Sequence, residues 1–501
     1  MKFCLHDISS NTHHLVLLGN KTARANDSTS EKEESRQICI LRDYEIEISS
    51  DYFELLEVAF QGNSTTVVYT DFSTSSKFEL VSDLIRLPSW SPERFLSIDY
   101  LGPVIAVDFA TIADLEESKS AVTRSSIVLT CIELDLKVNH VAKIGYTVPF
   151  ESFQESTNSH STEVQSFLDK NRFGSKVENE ISTWSPVSNK GIAPDLISVI
   201  IPTRGAKKSR RGKPLIIECV DSLATQNLGN SKLEILVVFD TDSKTGYLNK
   251  LKRFESDSVT IKFISYDPPF NFSKKCNLGG KEATGEVLIF LNDDTYWRTE
   301  DSLVELAGTS MIHGVGAVGA KLFFENNRLQ HAGYILRNNF VGHAYFRDLD
   351  GFGPFGDLAI THEVVGVTGA CFAQRKNVWT STGGWDEVLP AAYNDVDYCF
   401  RIRDLGFSIL QCNAAELTHY ESITRNPVVR PEETALIRNR WSEAMGDEPF
   451  FRSEVQNPEV RYLKGIVIQE YSRYIQGTYR KSGVMGVFKI FVNGFKKLIS
   501  S

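Results

Sequence analysis

The chain has 501 residues, enough for two or three domains that each bury a hydrophobic core. A composition of 42% hydrophobic and 24% charged residues is typical of a soluble globular protein, and the formal net charge of −10 argues against a general nucleic-acid-binding protein. No apolar run reaches the roughly 18 residues of a membrane-spanning helix. The first residues lack the apolar core of a signal peptide, and no Cys-x-x-Cys pair occurs. We therefore expect a cytoplasmic, reduced protein without a disulfide framework or a zinc site.

The first part of the chain is predicted to contain an irregular segment, a small lobe and a linker. Residues 1–39 are polar and irregular in composition. Between residues 40 and 150, short apolar runs such as Val67–Tyr69 predict strands among helices, and hence a small α/β lobe. Residues 151–195 are rich in Ser, Asn, Thr and Glu, which is typical of a linker between two folded bodies.

A regular alternation of strands and helices is predicted from residue 196 to residue 430. The apolar runs Leu196–Pro202, Leu233–Phe239 and Val287–Leu291 predict strands that are buried on both faces. With helices between them, these strands predict a doubly wound, Rossmann-like α/β domain. No GxGxxG or Walker pattern accompanies the strands, so neither a dinucleotide-binding site nor a P-loop is indicated.

Acidic side chains follow two of these strands at the expected ligand-binding edge of the sheet. Asp240 follows the second strand, and Asn292-Asp293-Asp294 follow the Val287–Leu291 strand. Carboxylates in this position suit Mg²⁺ or Mn²⁺ together with a nucleotide diphosphate, because the metal neutralises the phosphate charge. Alone, the same residues would also fit an acidic turn that caps the next helix.

Two more candidates lie farther along the chain. Asp395 is predicted in the first turn of a helix whose apolar face includes Val396 and Phe400. His419 follows the next predicted strand. Alone, the aspartate would also fit a helix N-terminus, and the histidine would also fit a structural role.

Together these motifs resemble those of bacterial family-2 glycosyltransferases with the GT-A fold, especially the enzymes that build O-antigen and related surface polysaccharides. The similarity extends from about Leu196 to Arg425. The motifs that carry it occur in one order, namely Pro202–Arg204, Asp240, Leu291–Thr295, Gly383–Glu387, Asn394–Arg401 and Thr418–Ser422.

The resemblance implies a role for each candidate residue. The nucleotide-sugar donor would be bound by Pro202, Thr203, Arg204, Asp240 and Asp293, and a divalent cation, Mn²⁺ or Mg²⁺, by Asp294 and His419. Asp395 would be the general base that deprotonates the acceptor hydroxyl. Asn394 stands where a Glu is commoner, but the carboxylate of the base is retained.

The reaction that the resemblance implies is a metal-dependent, inverting transfer of a hexose or deoxyhexose in one displacement. The acceptor would be a glycan, lipid-linked as in related enzymes. A nucleotidyltransferase shares the strand–acid arrangement, but it would need a tighter phosphate loop than Arg204–Lys208. Loss of Asp294, Asp395 or His419 would indicate a non-catalytic scaffold, and all three are present.

The first lobe has a fainter similarity to a second glycosyltransferase-like module. Its Tyr69-Thr70-Asp71 strand and its Trp90–Pro92 element carry this similarity. Phe72 and Ser73 follow Asp71, so a second acid is missing, and no base or metal-binding histidine is indicated near 138–146. We expect residues 40–150 to be truncated and inactive, with a role in packing or acceptor binding.

Residues 431–501 are predicted to be a helical extension that ends in a basic amphipathic tail, residues 484–501. Apolar residues recur there at helical spacing, together with Lys489, Lys496 and Lys497 and no acid. Such a helix can lie at the surface of an anionic membrane, or it can pack against the protein or a partner. Peripheral contact with the inner face of the plasma membrane is therefore one of two expectations.

Overall fold

The computed structural model describes residues 5–7, 14–16, 38–42, 46–61, 65–75, 83–108, 110–111, 123–149, 159–178, 184–205, 214–243, 245–337, 340–420, 431–446 and 448–451. These residues divide into two compact units. Unit 1 contains the described residues up to Asn171 and residues 184–185, and unit 2 contains residues 172–178 and 186–451. The segment predicted as a linker is therefore shared between the units, and the amphipathic tail lies outside the described residues.

Unit 1 is built around a six-stranded mixed sheet. Its strands are β1 Leu5–Asp7, β2 His14–Val16, β3 Ile38–Arg42, β4 Glu47–Ile48, β5 Thr65–Ser75, β6 Asp83–Ile85, β7 Val104–Asp108 and β8 Lys137–Pro149. Its helices are α1 Tyr52–Ala59, α2 Pro92–Ser97, α3 Arg124–Glu133 and α4 Ser159–Asn171. The order in the sheet is β3-β7-β5-β8-β4, with β6 beside β5, while β1 and β2 pair separately within the segment predicted to be irregular.

The strand β5 forms the core of unit 1, since every residue of it except Ser75 is buried. The ring of Phe72 stacks on that of Tyr146 at a centroid distance of 5.3 Å. The carboxylate of Asp71 is buried as well, and it accepts hydrogen bonds from His140 Nε2 at 2.8 Å and from the backbone N–H of Leu87 at 2.9 Å. A buried carboxylate needs such partners, because it has lost its contact with water.

Unit 2 contains fourteen described strands and seven described helices. The strands are β9 Lys176–Val177, β10 Val187–Ser188, β11 Leu196–Thr203, β12 Lys232–Asp240, β13 Val259–Tyr266, β14 Val287–Leu291, β15 Thr295–Trp297, β16 Val315–Phe323, β17 Leu329–His331, β18 Tyr334–Arg337, β19 Phe340–His343, β20 His362–Glu363, β21 Cys371–Arg375 and β22 Ser408–His419. The helices are α5 Leu215–Ala224, α6 Leu248–Leu251, α7 Phe272–Glu282, α8 Ser302–Met311, α9 Lys376–Thr382, α10 Asn394–Asp404 and α11 Pro431–Trp441.

The main sheet of unit 2 has the order β13-β12-β11-β14-β21-β16-β22-β15. The first four of these strands are parallel, and every residue of β14 is buried. Complete burial is expected for a parallel strand whose two faces are covered by helices, so the continuous apolar runs follow from the topology. This arrangement confirms the predicted doubly wound α/β domain, and it places the residues that follow β11, β12 and β14 along one edge of the sheet.

The sheet of unit 1 repeats half of the sheet of unit 2. The strands β3-β7-β5-β8-β4 have the same neighbours, the same relative directions and the same chain order as β14-β21-β16-β22-β15. The short strands β6 and β17 are both antiparallel to the middle strand of their sheet. Unit 1 therefore has the topology of the β14–β22 half, without counterparts of β11–β13 among its described strands.

The two halves also share local irregularities. The register shifts at the start of the parallel pair in both sheets, after Thr65 in β5 and after Val315 in β16. The helices α3 and α10 are both followed by a left-handed residue, Asp135 with a φ of 52° and Gly406 with a φ of 84°. A shared bulge and a shared helix end indicate that one half-domain occurs twice in this chain.

This equivalence corrects one part of the sequence analysis. Asp71 pairs with Ile144 in β8, as Lys321 pairs with Glu416 in β22. The strand that contains Asp71 is therefore the counterpart of β16. Asp71 therefore does not occupy the position of the acids that follow β14, and the absence of a second acid after it does not bear on a metal site in unit 1.

Candidate active site

Asp294 and His419 meet where β15 pairs with the end of β22. The antiparallel register places Thr295 opposite His419, so that Asp294 Oδ1 lies 3.2 Å from His419 Nε2. Both residues are buried, with 3% of Asp294 and 9% of His419 exposed. The structure thus brings together two residues that are separated by more than a hundred positions in the sequence.

The hydrogen bonds of His419 determine which ring nitrogen carries its proton. Its Nδ1 lies 2.7 Å from Gln330 Oε1, an atom that can only accept, so Nδ1 is the donor. Asn292 Nδ2 lies 3.2 Å from Nε2. In the neutral ring, Nε2 is therefore an acceptor that faces a second acceptor, Asp294 Oδ1.

Two acceptor atoms 3.2 Å apart repel each other unless a proton or a cation lies between them. In an octahedral site with metal–ligand distances of about 2.1 Å, neighbouring ligand atoms are about 3 Å apart. The separation of Asp294 Oδ1 and His419 Nε2 therefore fits two ligands of one cation. A carboxylate, an imidazole nitrogen and a hydrogen bond from Gln330 that orients the ring are a donor set typical of metal sites.

Asp294 and His419 alone would not saturate a cation. Within the described residues there is no cluster of three or more His, Cys, Asp or Glu side chains that could hold a metal. Mg²⁺ and Mn²⁺ often take one or two protein ligands and complete their coordination with substrate phosphates and water. The residues present therefore fit a cation that is shared with a diphosphate, and not a self-contained protein site.

Asp293 points from the same turn toward the end of β11. Its carboxylate accepts a hydrogen bond from the hydroxyl of Thr203. Burial and the adjacent charge of Asp294 raise the pKa of Asp293 to about 7. A carboxyl group with this pKa exchanges its proton near neutral pH, so nearby positive charge will favour its ionised form.

Asp240 lies in a buried ion pair at the end of β12. Its Oδ1 accepts a hydrogen bond from Lys275 Nζ at 2.8 Å, and its Oδ2 lies 3.1 Å from Arg204 Nε. Lys275 also donates to the backbone oxygen of Thr203 at 2.7 Å, and thereby joins the ends of β11 and β12. Burial lowers the pKa of Lys275, and its bond to Asp240 opposes that effect. The sequence analysis missed Lys275, because a lysine on an amphipathic helix is usually exposed.

Asp395 lies in the first turn of α10 and is held by three donors on one oxygen. Its Oδ2 accepts hydrogen bonds from Tyr334 Oη at 2.8 Å, Gly369 N at 2.9 Å and Thr368 Oγ1 at 3.3 Å. Its Oδ1 accepts one from Val396 N at 2.9 Å. The carboxylate is therefore fixed in orientation, with Oδ1 the less heavily bonded oxygen.

The neighbouring acid Asp397 has a structural role. It is fully buried, and it accepts hydrogen bonds from Arg401 Nε at 2.8 Å and from Arg440 Nη1 and Trp441 Nε1 at 3.0 Å each. These bonds connect α10 to α11. An acid that is neutralised on all sides in this way is a poor candidate for a catalytic base.

Two adjacent residues of β17 support the two halves of the candidate site. Gln330 orients His419, as described above, and His331 Nε2 accepts a hydrogen bond from the backbone N–H of Thr368 at 3.2 Å. Thr368 and Gly369 in turn hold Asp395. The short strand β17 therefore connects the candidate ligand His419 to the turn that positions Asp395. The sequence analysis assigned no role to Gln330 and His331, because their partners are distant in sequence.

The predicted site residues form two groups. The first group lies at the ends of β11, β12 and β14 and consists of Pro202, Thr203, Arg204, Asp240 and Asp293. The pair Asp294 and His419 adjoins this group. Asp395 belongs to a second group with Tyr334, Thr368 and Gly369. None of the described helices has the length and hydropathy of a membrane span.

Comparison with known proteins relates part of the chain to a known family. Residues 198–380 match the model of glycosyl transferase family 2. An uncharacterized protein of Sinorhizobium fredii, y4gI, is 26% identical over 74% of this chain and 42% of its own length. The O-antigen biosynthesis protein RfbC of Myxococcus xanthus is 28% identical over 69% of this chain and 28% of its own. The chain thus spans less than half the length of either relative.

Two solved structures have a partly similar course of the chain. A mannosyltransferase from Pyrobaculum calidifontis, in complex with GDP-Man and Mn²⁺, is 15% identical over 64% of this chain and 84% of its own, with a TM-score of 0.35. GalNAc-T7 with UDP, GalNAc and Mn²⁺ is 12% identical over 54% of this chain and 53% of its own, with a TM-score of 0.40.

Residues 198–380 therefore match a glycosyl transferase family 2 domain, in agreement with the motifs in the sequence. This match favours a glycosyltransferase over the alternative of a nucleotidyltransferase.

Proposed function

We propose that the protein transfers a sugar from a nucleotide-sugar donor to a glycan acceptor in a single inverting displacement that requires a divalent cation. The observation that carries the proposal is the pair Asp294 Oδ1 and His419 Nε2, two acceptors 3.2 Å apart at the ligand-binding edge of the sheet. The relative named as an O-antigen biosynthesis protein supports a role in polysaccharide synthesis.

The nucleotide would lie across the ends of β11, β12 and β14. Pro202, Thr203 and Arg204 would border it, Asp240 would accept a hydrogen bond from its base, and Asp293 would contact the ribose. Arg204 is half exposed, so it can move from Asp240 to the diphosphate when the base binds. Lys275 would hold the buried carboxylate of Asp240 in place through its hydrogen bond.

Asp294 and His419 would hold Mn²⁺ or Mg²⁺, and such a cation stabilises the negative charge that develops on a departing diphosphate. Gln330 supports this role, because it keeps the proton of His419 on Nδ1 and so leaves Nε2 as the ligand atom. Asn292 would give up its long hydrogen bond to Nε2 when the cation binds.

Asp395 would act as the general base. The three donors on Oδ2 leave Oδ1 as the oxygen that takes the proton from the acceptor hydroxyl. As that proton moves to Oδ1, the acceptor oxygen forms a bond to the anomeric carbon, and the bond from this carbon to the diphosphate oxygen breaks on the opposite face. The configuration at the anomeric carbon is inverted as a result.

Further features of the proposal rest on the resemblance to polysaccharide enzymes. The acceptor would be lipid-linked, and the reaction would take place at the cytoplasmic face of the membrane. The basic amphipathic tail, residues 484–501, would add a peripheral membrane contact. Unit 1 would be catalytically inactive and would contribute to packing or to acceptor binding.

The test is donor hydrolysis by the full-length protein. A panel of UDP-, GDP- and dTDP-sugars is incubated with Mn²⁺, and the release of nucleoside diphosphate is measured with and without EDTA. We expect slow hydrolysis of one donor type, which stops with EDTA and is abolished by His419→Ala. Hydrolysis that is insensitive to EDTA would contradict the metal requirement.

A further inference from the structure

A row of four aromatic rings leads away from Asp395 over unit 2. It consists of Tyr334, His343, Phe346 and Phe324, and we call it the aromatic ridge. Successive ring centroids are 5.2 Å, 5.9 Å and 5.5 Å apart. The row begins at the candidate base, because Tyr334 Oη donates a hydrogen bond to Asp395 Oδ2 at 2.8 Å.

The third ring of the aromatic ridge is exposed. Phe346 has 45% of its surface accessible, and Phe324 is partly buried beside it. A phenylalanine ring loses favourable burial energy when it faces water. An exposed phenylalanine in an aromatic row beside a candidate catalytic site is a feature of ligand-binding surfaces.

The backbone holds Phe346 outward at an energetic cost. Both of its neighbours adopt the left-handed conformation, Tyr345 with a φ of 55° and Arg347 with a φ of 66°. Residues other than glycine rarely adopt this conformation. Hydrogen bonds from Tyr345 Oη to Asp357 Oδ2 at 2.6 Å and from Arg347 N to Leu329 O at 2.7 Å secure this turn. The presentation of Phe346 is thus a built feature of the fold.

His343 is held in one orientation between Tyr334 and Phe346. Burial keeps the pKa of His331 well below its usual range, so its ring is neutral. Because His331 Nε2 accepts the N–H of Thr368, its proton lies on Nδ1, which donates to His343 Nδ1 at 2.8 Å. This bond fixes the ring of His343 at an angle of 32° to that of Phe346.

We propose that the aromatic ridge binds the acceptor as a chain of several sugars. Pyranose rings have apolar C–H faces that pack on aromatic rings, and their hydroxyls form hydrogen bonds with polar groups at the edges. With the terminal sugar at Asp395, the preceding sugars would lie along His343, Phe346 and Phe324. The acceptor class is then an oligosaccharide, and not a monosaccharide or a lipid phosphate alone. This inference rests on the proposed role of Asp395 as the base.

The test uses glycan binding by the full-length protein, independent of turnover. A glycan array with mono-, di- and longer oligosaccharides identifies the glycans that the wild type binds, and calorimetry then measures the strongest binder and its shortened forms. We expect affinity to fall as sugars are removed. Phe346→Ala and Phe324→Ala should each weaken binding of the longest form by roughly three- to tenfold, the usual contribution of one aromatic contact.

Phe173→Ala is the matched control, since Phe173 is 88% exposed and belongs to unit 2 without being part of the ridge. Its affinity for the glycan should equal that of the wild type. The proposal is overturned if the array detects no glycan, if a monosaccharide binds as tightly as longer forms, or if Phe346→Ala binds like the wild type. Binding of UDP or GDP with Mn²⁺ is measured on the same samples, and its absence alongside ridge-dependent glycan binding would refute the proposed donor site only.

Discussion

Unit 1 and the β14–β22 half of unit 2 have the same strand topology, but they differ at the positions to which we assign chemistry. Phe72 pairs with Tyr146 in one sheet, and Leu322 pairs with Leu417 in the other. Counted from these pairs, Val148 of β8 occupies the position of His419. Unit 1 thus has an apolar side chain where unit 2 has a candidate metal ligand.

The short strands β6 and β17, which pair with the middle strand of their sheets, also differ in their side chains. In β17, Gln330 and His331 support the two groups of the candidate site. The register of β6 places Ile85 at the position of His331 and Leu84 at that of Leu329, whereas Gln330 lies at a register shift of β17 and has no paired counterpart in β6. Isoleucine cannot accept a hydrogen bond from a backbone N–H as His331 does.

The third difference concerns the helix before the last strand. Counted back from the left-handed residues Gly406 and Asp135, the position of Asp395 in α10 corresponds to Arg124 in α3. Arg124 Nη2 donates a hydrogen bond to Asp99 Oδ2, so a cation stands in unit 1 where unit 2 has the candidate base. The comparison teaches that buried apolar strands maintain this scaffold without its polar side chains, so the topology alone does not define a site.

The largest effect is expected when unit 2 loses its candidate metal-binding acid. Asp294→Ala should abolish Mn²⁺-dependent binding of nucleoside diphosphate and sugar transfer, because the diphosphate loses its counter-charge. Calorimetry with UDP or GDP and Mn²⁺ measures this loss. Asp257→Ala, an exposed acid in the loop between β12 and β13, is the control and should bind normally. Unchanged affinity of the Asp294 variant would remove this residue from the site.

Asp395→Asn should separate catalysis from donor binding. The amide retains an oxygen for Tyr334, Thr368 and Gly369, but it cannot take a proton from the acceptor. We expect turnover to fall by about 10²-fold or more, the usual effect of a lost general base. Affinity for nucleoside diphosphate with Mn²⁺ should be retained. Near-normal turnover would mean that another residue is the base, and the buried bonds of Asp397 argue against that neighbour.

Gln330→Leu removes from unit 2 the side chain that orients His419 and leaves an apolar side chain in its place. His419 would lose the acceptor that fixes its proton on Nδ1, so we expect Mn²⁺ affinity to fall by roughly 10- to 100-fold. Titration of Mn²⁺ at saturating nucleotide measures the change. Gln374→Leu controls for the loss of a buried amide, because Gln374 bonds to Tyr398 instead. Equal losses in both variants would indicate a general effect on folding.

The pair Asp293 and Asp294 predicts a pH dependence for cation binding. The pKa of Asp293 is raised to about 7, so its proton must leave when a cation binds nearby. Apparent Mn²⁺ affinity should therefore increase with pH up to about 7, and below this pH it should fall by up to about tenfold per pH unit. Calorimetry at several pH values measures this slope. Asp293→Asn should have a flatter profile, and an unchanged slope in this variant would assign the proton to another group.

The fold of unit 2 was predictable from the sequence, whereas the support of its site was not. Continuous apolar runs such as Val287–Leu291 indicate buried parallel strands, and acids after such strands indicate a ligand edge. The contacts of Gln330, His331 and Lys275 depend on strand order and on helix faces that no local pattern encodes. For the same reason the partner of Asp71 was missed, since His140 belongs to a strand that pairs with β5 only in the folded sheet.

Asp71→Ala tests the inactivity of unit 1 and should have the smallest effect on turnover, within a few-fold of the wild type. Asp71 is buried, and its position in unit 1 corresponds to that of Lys321 in unit 2. It accepts hydrogen bonds from His140 and from the backbone N–H of Leu87. Its removal takes the acceptor from both groups, so we expect unit 1 to lose about 1–3 kcal/mol of stability. Thermal unfolding monitored together with turnover measures both effects, and Asp71→Asn, which keeps an acceptor oxygen, should stay closer to the wild type. A folded Asp71→Ala protein with strongly reduced turnover would contradict the inactivity of unit 1.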